Sequence, residues 1–219
     1  MELAKQCLDV GLYTDQYDAL RAFYCDQLGL PYEELLKAGR GIHQHRVGLK
    51  GSVLKLNASR EPLPEAHTNF IRLDVAADLY EVLRDPDGTN VWLRMDVDTI
   101  AVHWQSSDPD RLAQLLLDGF DATPVVGTTN RWRIGTTTLV LHTNGKPFGP
   151  MRSRGFRYLT VQVRDVRKEH AHLLSVGWTE GTAPIKLGDT AFISFVLDPD
   201  GAPIEISQRA SLTGPLPDA

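Results

Sequence analysis

The sequence predicts an α+β fold built from repeated strand–helix–strand units. Three observations point there. The turn sequence Asp-Pro-Asp-Gly occurs twice, at 85–88 and at 198–201, each time between two short strand-like runs. A strand followed by a helix begins near residues 8, 100 and 157. A shortened unit with no helix fills 69–98. Repetition of a supersecondary unit says more about architecture than any single element does.

In chain order, LDVGLYT (8–14) alternates as a strand. DQYDALRAFYCDQLG (15–29) follows with Leu20, Phe23, Tyr24 and Leu28 at the spacing of one helix face, and with Gly29 and Pro31 to end it. Three strand-length runs occupy 32–39, 41–49 and 52–58, separated by glycines, so 7–57 reads as a complete βαβββ module. The prolines of REPLPEAHT (60–68) mark a loop. Strands at 69–77, 80–84 and 90–94 make the shortened module, with the first Asp-Pro-Asp-Gly hairpin between the last two. A third module covers 100–143: a strand at 99–107, a helix at 108–120 opened by Asp108 and Pro109, then further strands. NGKPFGPMRSRG (144–155) is a linker. A fourth module covers 156–208, with a helix at 166–177 closed by Gly177 and the second hairpin. The natural division is an N-terminal half, 1–98, and a C-terminal half, 99–208, with a loose tail at 209–219.

Composition narrows the function. A net charge of −5 without a basic stripe argues against a nucleic-acid partner. No apolar run approaches the ~20 residues of a membrane helix, and the N-terminus has no secretory pattern, so a cytoplasmic protein is expected. Cys7 and Cys25 lack metal-motif spacing and read as reduced residues.

Several side chains suggest a binding site. His43 and His45 are two apart on a predicted strand and share one face. Two imidazoles so placed can hold a metal or an anion, and Lys55 on the adjoining strand adds a cation. A wet, polar sheet face explains the same pattern. Trp92, Trp104, Trp132 and Tyr13 lie on predicted strands and suit either the wall of a site for a flat compound or the core. His170 and His172 fall on a predicted helix, where that spacing keeps them apart.

VGLYTDQYDALRAFYCDQLGL, SSDPDRLAQLL, and YLTVQVRDV with LDPDGAPIEISQ resemble the openings and ending of modules of the vicinal oxygen chelate superfamily. That superfamily spans glyoxalases, bleomycin-resistance proteins and extradiol dioxygenases. The resemblance implies paired βαβββ modules whose mixed sheets curve into a cup, with a divalent metal inside held by residues of first and last strands. The matching last-strand positions are Lys55, Trp92 and Glu205. The first-strand positions are Asp9, Ala101 (or His103 after a slip of two) and Tyr158. Only Glu205 is the usual residue; Asp9 is an alternative oxygen ligand.

Two readings follow. In the first, His103, Glu205 and His142 of the C-terminal half hold Fe, Mn, Ni or Zn, Tyr158 moves a proton, and the protein is an enzyme on a small oxygenated substrate. A ring-cleaving dioxygenase then stands slightly ahead of a glyoxalase-like lyase or isomerase. His43, His45, Lys55, Trp92 and Trp104 would contact the substrate. In the second, the missing ligands mark a metal-free protein that sequesters a flat aromatic compound. Either way the partner is a small organic molecule, and the shortened module leaves exchange within a homodimer open.

Overall fold

A computed structural model describes residues 1–39 and 41–217 of the chain. The first module runs β1 (Asp9–Thr14), α1 (Tyr17–Arg21), β2 (Tyr32–Gly39), β3 (Ile42–Leu49) and β4 (Ser52–Ser59). The expected helix over 15–29 starts later, and α1 widens into a π-helical turn at Ala22–Gln27, where Leu28 N donates to Phe23 O at 3.0 Å. Leu20, Phe23 and Tyr24 face the core as their spacing predicts. The shortened module supplies β5 (Phe70–Ala76), β6 (Glu81–Arg84) and β7 (Asn90–Arg94).

The third module runs β8 (Ile100–Gln105), α2 (Pro109–Phe120), β9 (Thr123–Pro124), β10 (Arg131–Ile134) and β11 (Thr137–His142). The fourth runs β12 (Gly155–Gln162), α3 (Val166–Ser175), β13 (Thr179–Leu187), β14 (Ala191–Leu197) and β15 (Pro203–Arg209). Asp108 and Asp165 cap α2 and α3, accepting from Arg111 N at 3.0 Å and Lys168 N at 3.1 Å. The tail expected to be loose contains a short helix, α4 (Ala210–Thr213). Among the described residues no helix is long and apolar enough to cross a membrane.

The strands form two mixed sheets. One has the order β13-β14-β15-β12-β1-β4-β3-β2, the other β6-β7-β5-β8-β11-β10-β9. The sheets therefore do not follow the halves 1–98 and 99–208. The first module joins the fourth, through antiparallel β1 and β12, and the second joins the third, through antiparallel β5 and β8. Each module's first strand lies beside its own last strand on one edge, parallel in every case, and the other edge takes the first strand of the partner module.

One core unites both sheets. Phe70 of β5 stacks on Phe156 of β12 with centroids 4.7 Å apart, and Trp104 packs against Phe70 at 5.1 Å. The two Asp-Pro-Asp-Gly hairpins have the same internal bonds: Gly88 N to Asp85 O at 2.9 Å, and Gly201 N to Asp198 O at 3.0 Å. Both glycines sit at φ +89°, which a residue with a Cβ rarely adopts. Each hairpin is also clamped by an aromatic donor from the module before it. Tyr24 Oη donates to Asp85 Oδ2 at 2.8 Å, and Trp104 Nε1 to Asp198 Oδ2 at 3.1 Å.

Candidate functional site

Strand alternation sends the two faces of the eight-stranded sheet to different surroundings. Val10, Leu12, Leu54, Leu56, Leu159, Ile204 and Ile206 enter the core. The intervening residues line a concave cavity of about 370 Å³, whose wall includes Tyr13, Gln44, Arg46, Lys55, Asn57, Tyr158, Phe195, Glu205 and Arg209. That volume lies in the range of small-molecule sites.

Three side chains from three strands close the floor. Lys55 Nζ donates to Glu205 Oε2 and to Thr160 Oγ1, both at 2.7 Å, and Thr160 Oγ1 donates to Glu205 Oε2 at 2.8 Å. Lys55 is 3% exposed and Glu205 7%. Burial pushes the Lys55 amine below the usual lysine range, against the pull of the Glu205 carboxylate.

Tyr158 reaches this floor because β1 has a glycine opposite it. A Cβ on Gly11 would lie 2.1 Å from the Tyr158 ring. Asn57 Nδ2 donates to the Tyr158 hydroxyl at 3.0 Å, and Gln44 Nε2 donates to Asn57 Oδ1 at the same distance. Burial and then the Glu205 charge raise the Tyr158 phenol well above its ordinary value. It is held as a neutral phenol, a proton donor and not a base.

Nearer the rim, Arg46 and Arg209 share one carboxylate. Glu34 Oε1 lies 3.1 Å from Arg46 Nε and 3.1 Å from Arg209 Nη2. Asp9, two residues before Gly11 on β1, is held by three donors: Lys5 Nζ donates to it at 2.6 Å, Gln162 Nε2 at 2.9 Å and Val53 N at 3.0 Å.

The remaining expected site residues lie elsewhere. His103 and His142 do meet, Nδ1 to Nε2 at 2.8 Å, but on β8 and β11 of the seven-stranded sheet, whereas Glu205 lies on the other sheet. The expected trio does not assemble, because the third and fourth modules do not share a sheet. His103 Nε2 instead faces Asp74 Oδ2 at 3.1 Å and touches Arg72, whose guanidinium lies 3.8 Å above the Trp92 ring. Burial lowers both imidazoles, with Asp74 partly opposing this at His103 and the His103 neighbour adding to it at His142.

Trp104 is core, with no exposure. His43 and His45 point away from the cup. Lys55 pairs in register with Arg46, so the even-numbered residues of β3 share its face. His45 stacks on Tyr17 at 3.8 Å on the opposite side. Arg46, Asn57, Thr160 and Arg209 went unread in the sequence. Stepping by two from Lys55 and Glu205 reaches Asn57 and Arg209, and the register adds Arg46 and Thr160.

Residues 6–206 match the Glyoxalase/Bleomycin resistance protein/Dioxygenase superfamily. The chain belongs to that superfamily. Its fold is similar to that of glyoxalase I from Zea mays, at 14% identity and a TM-score of 0.73, with 92% of each chain covered. It is also similar to a putative dioxygenase from Bacillus subtilis, at 14% identity and a TM-score of 0.69, with 95% of this chain and 85% of that one covered. No curated protein sequence matches the chain.

The superfamily resemblance implies a metal at the cup floor, and the residues there do not fit one. Lys55 places a cation against Glu205, where a second cation would be repelled. Asp9 is engaged by Lys5 and Gln162, and Tyr158 is a buried phenol. Among the described residues no group of three or more His, Cys, Asp or Glu side chains is placed to hold a metal ion.

Proposed function

We propose that this superfamily member is a metal-free receptor that binds and sequesters a small flat organic compound in the cup of the eight-stranded sheet. One observation carries the reading: the Lys55 ammonium, 2.7 Å from Glu205, neutralises the carboxylate that is the usual residue at its superfamily ligand position. The cup keeps the features a ligand site needs, an apolar wall with a few placed polar groups. Tyr158 and Phe195, whose rings meet edge-on at 6.1 Å, supply flat surface for a ring, and Asn57 and Gln44 supply polar atoms.

Metal analysis of protein purified without chelator, combined with thermal melts, tests this. The expected result is far less than one equivalent of Fe, Mn, Ni or Zn, no response of the melting temperature to added Ni²⁺ or Zn²⁺, and a rise with flat aromatic compounds. A ligand at a hundred times its Kd stabilises by about 2.7 kcal/mol, a shift of several degrees. Near-stoichiometric metal that disappears in Glu205→Ala would overturn the reading in favour of a metalloenzyme.

A further inference from the structure

Among the described residues that line the cup, four are basic, Lys37, Arg46, Lys55 and Arg209, and one is a carboxylate, Glu205. Of the basic groups there, Lys55 is neutralised by Glu205. Arg46 and Arg209 both approach the same oxygen of Glu34. Lys37 adds a further cation at the edge of the cavity.

The arginine pair is unequal in exposure. Arg46 is 6% exposed, and its Nη1 has no hydrogen-bond partner among the described residues. A buried guanidinium donor left unmet is costly, so native structures rarely keep one without a reason. Burial and then the neighbouring Arg209 charge hold Arg46 below the usual arginine range, with Asp9, Glu34 and Glu33 partly opposing this. Arg46 lies one strand from Lys55 and lines the same cavity as Leu36 and Phe195.

We infer that the ligand of this cup is a flat organic acid whose carboxylate is received by Arg46, with Arg209 beside it, while its ring lies against Tyr158 and Phe195. The inference rests on the cup being a ligand site. A planar carboxylate matches the two-pronged donor geometry of a guanidinium and adds negative charge to a wall rich in basic groups. A neutral ligand of the same shape would bring no charge to the Arg46 guanidinium.

The test uses matched pairs of flat acids and their neutral amides, 2-naphthoate with 2-naphthamide and benzoate with benzamide, titrated into the full chain by calorimetry at pH 7. The wild type is expected to prefer each acid about tenfold or more, the worth of a charge-assisted hydrogen bond. Arg46→Gln should bring acid and amide within about twofold of each other. Glu34→Gln, at a half-exposed rim position, should tighten acid binding several-fold and leave amide binding unchanged, because it removes the carboxylate that competes for both arginines. A purely structural role for these residues would not make one variant weaker and the other stronger. Equal affinity for acid and amide in the wild type, or an acid preference that survives Arg46→Gln, overturns the inference and leaves the receptor standing. Binding of neither member of any pair sinks the receptor reading and this inference with it.

Discussion

The amine of Lys55 and the carboxylate of Glu205 meet at 2.7 Å, 150 residues apart in the chain. One comes from the last strand of the first module and the other from the last strand of the fourth. Only the antiparallel pairing of β1 with β12 brings them together. The floor of the cup is thus a product of module pairing, and the ion pair spans that junction.

The pair should reveal itself in stability. Lys55→Met leaves the Glu205 carboxylate buried without its cation, and Glu205→Met leaves the reverse. Breaking one side of a buried pair costs about 3–5 kcal/mol. The double variant removes both charges and should recover most of that, remaining about 1 kcal/mol short because Thr160 Oγ1 loses both partners. Urea unfolding of the four proteins gives the coupling energy. Single variants that each lose less than about 1 kcal/mol would mean that the floor is wet and the pair weak.

Much of the fold was legible in the sequence, for local reasons. Strand-length runs marked β1, β3, β4 and β12, Asp108 with Pro109 marked the start of α2, and the repeated Asp-Pro-Asp-Gly marked two hairpins with the same bonds. Module pairing was not legible. Which first strand lies beside β1 depends on packing between modules, and both β8 and β12 are strands buried along nearly their whole length, which local pattern cannot tell apart. This is why Glu205 and Tyr158 were found but grouped with His103 and His142. His43 and His45 failed for a smaller reason. A register shift of one residue exchanges the faces of a strand, and only the Arg46–Lys55 pairing decides which face of β3 joins the cup.

Gly11 should be intolerant of a side chain for reasons of space. It is not among the residues with positive φ, so its backbone suits any residue. Its Cβ would, however, approach three Tyr158 ring carbons within 2.1–2.5 Å. Asn57 holds the Tyr158 hydroxyl at 3.0 Å, and Phe195 meets the ring edge-on at 6.1 Å, so a shift of the ring would disturb both contacts. Gly11→Ala is expected to cost about 1–3 kcal/mol, as overpacked sites do. Tyr158→Leu in the same chain should remove part of that cost, so the double variant is more stable than the sum of the singles predicts. Additive losses in chemical denaturation would place the strain elsewhere.

Asp198 predicts a pH dependence. Its Oδ1 accepts from Ala202 N at 2.7 Å and Asp200 N at 2.9 Å, and its Oδ2 from Trp104 Nε1 at 3.1 Å. Burial outweighs these bonds and raises its carboxyl from 3.8 to about 6. Between those values the folded chain holds a proton that the unfolded chain has released. The resulting stabilisation is full below about pH 4 and is lost as pH rises through about 6, a change on the order of 3 kcal/mol. Asn keeps the neutral form at every pH. The stability of the wild type minus that of Asp198→Asn should therefore fall between about pH 4 and about pH 6 in urea unfolding, and level off above that. A constant or rising difference would show that the carboxylate is stabilised in the folded state.

The two sheets should also separate in function. His103 and His142 form a hydrogen-bonded pair with Asp74 behind them, a group with the look of a site, yet they lie on β8 and β11, in the sheet that does not contain the cup. His103→Gln breaks a buried contact and should cost about 1 kcal/mol of stability, less than full exposure of Asp74 because Arg72 Nε still lies 2.7 Å from its carboxylate. Binding of 2-naphthoate to either His103→Gln or His142→Gln should stay within about twofold of wild type, since neither side chain touches the cup and distant sites act independently. Arg46→Gln, in parallel, should weaken it about tenfold. The decisive pattern is the contrast. If the histidine variants lose the acid and Arg46→Gln keeps it, the ligand belongs to the seven-stranded sheet.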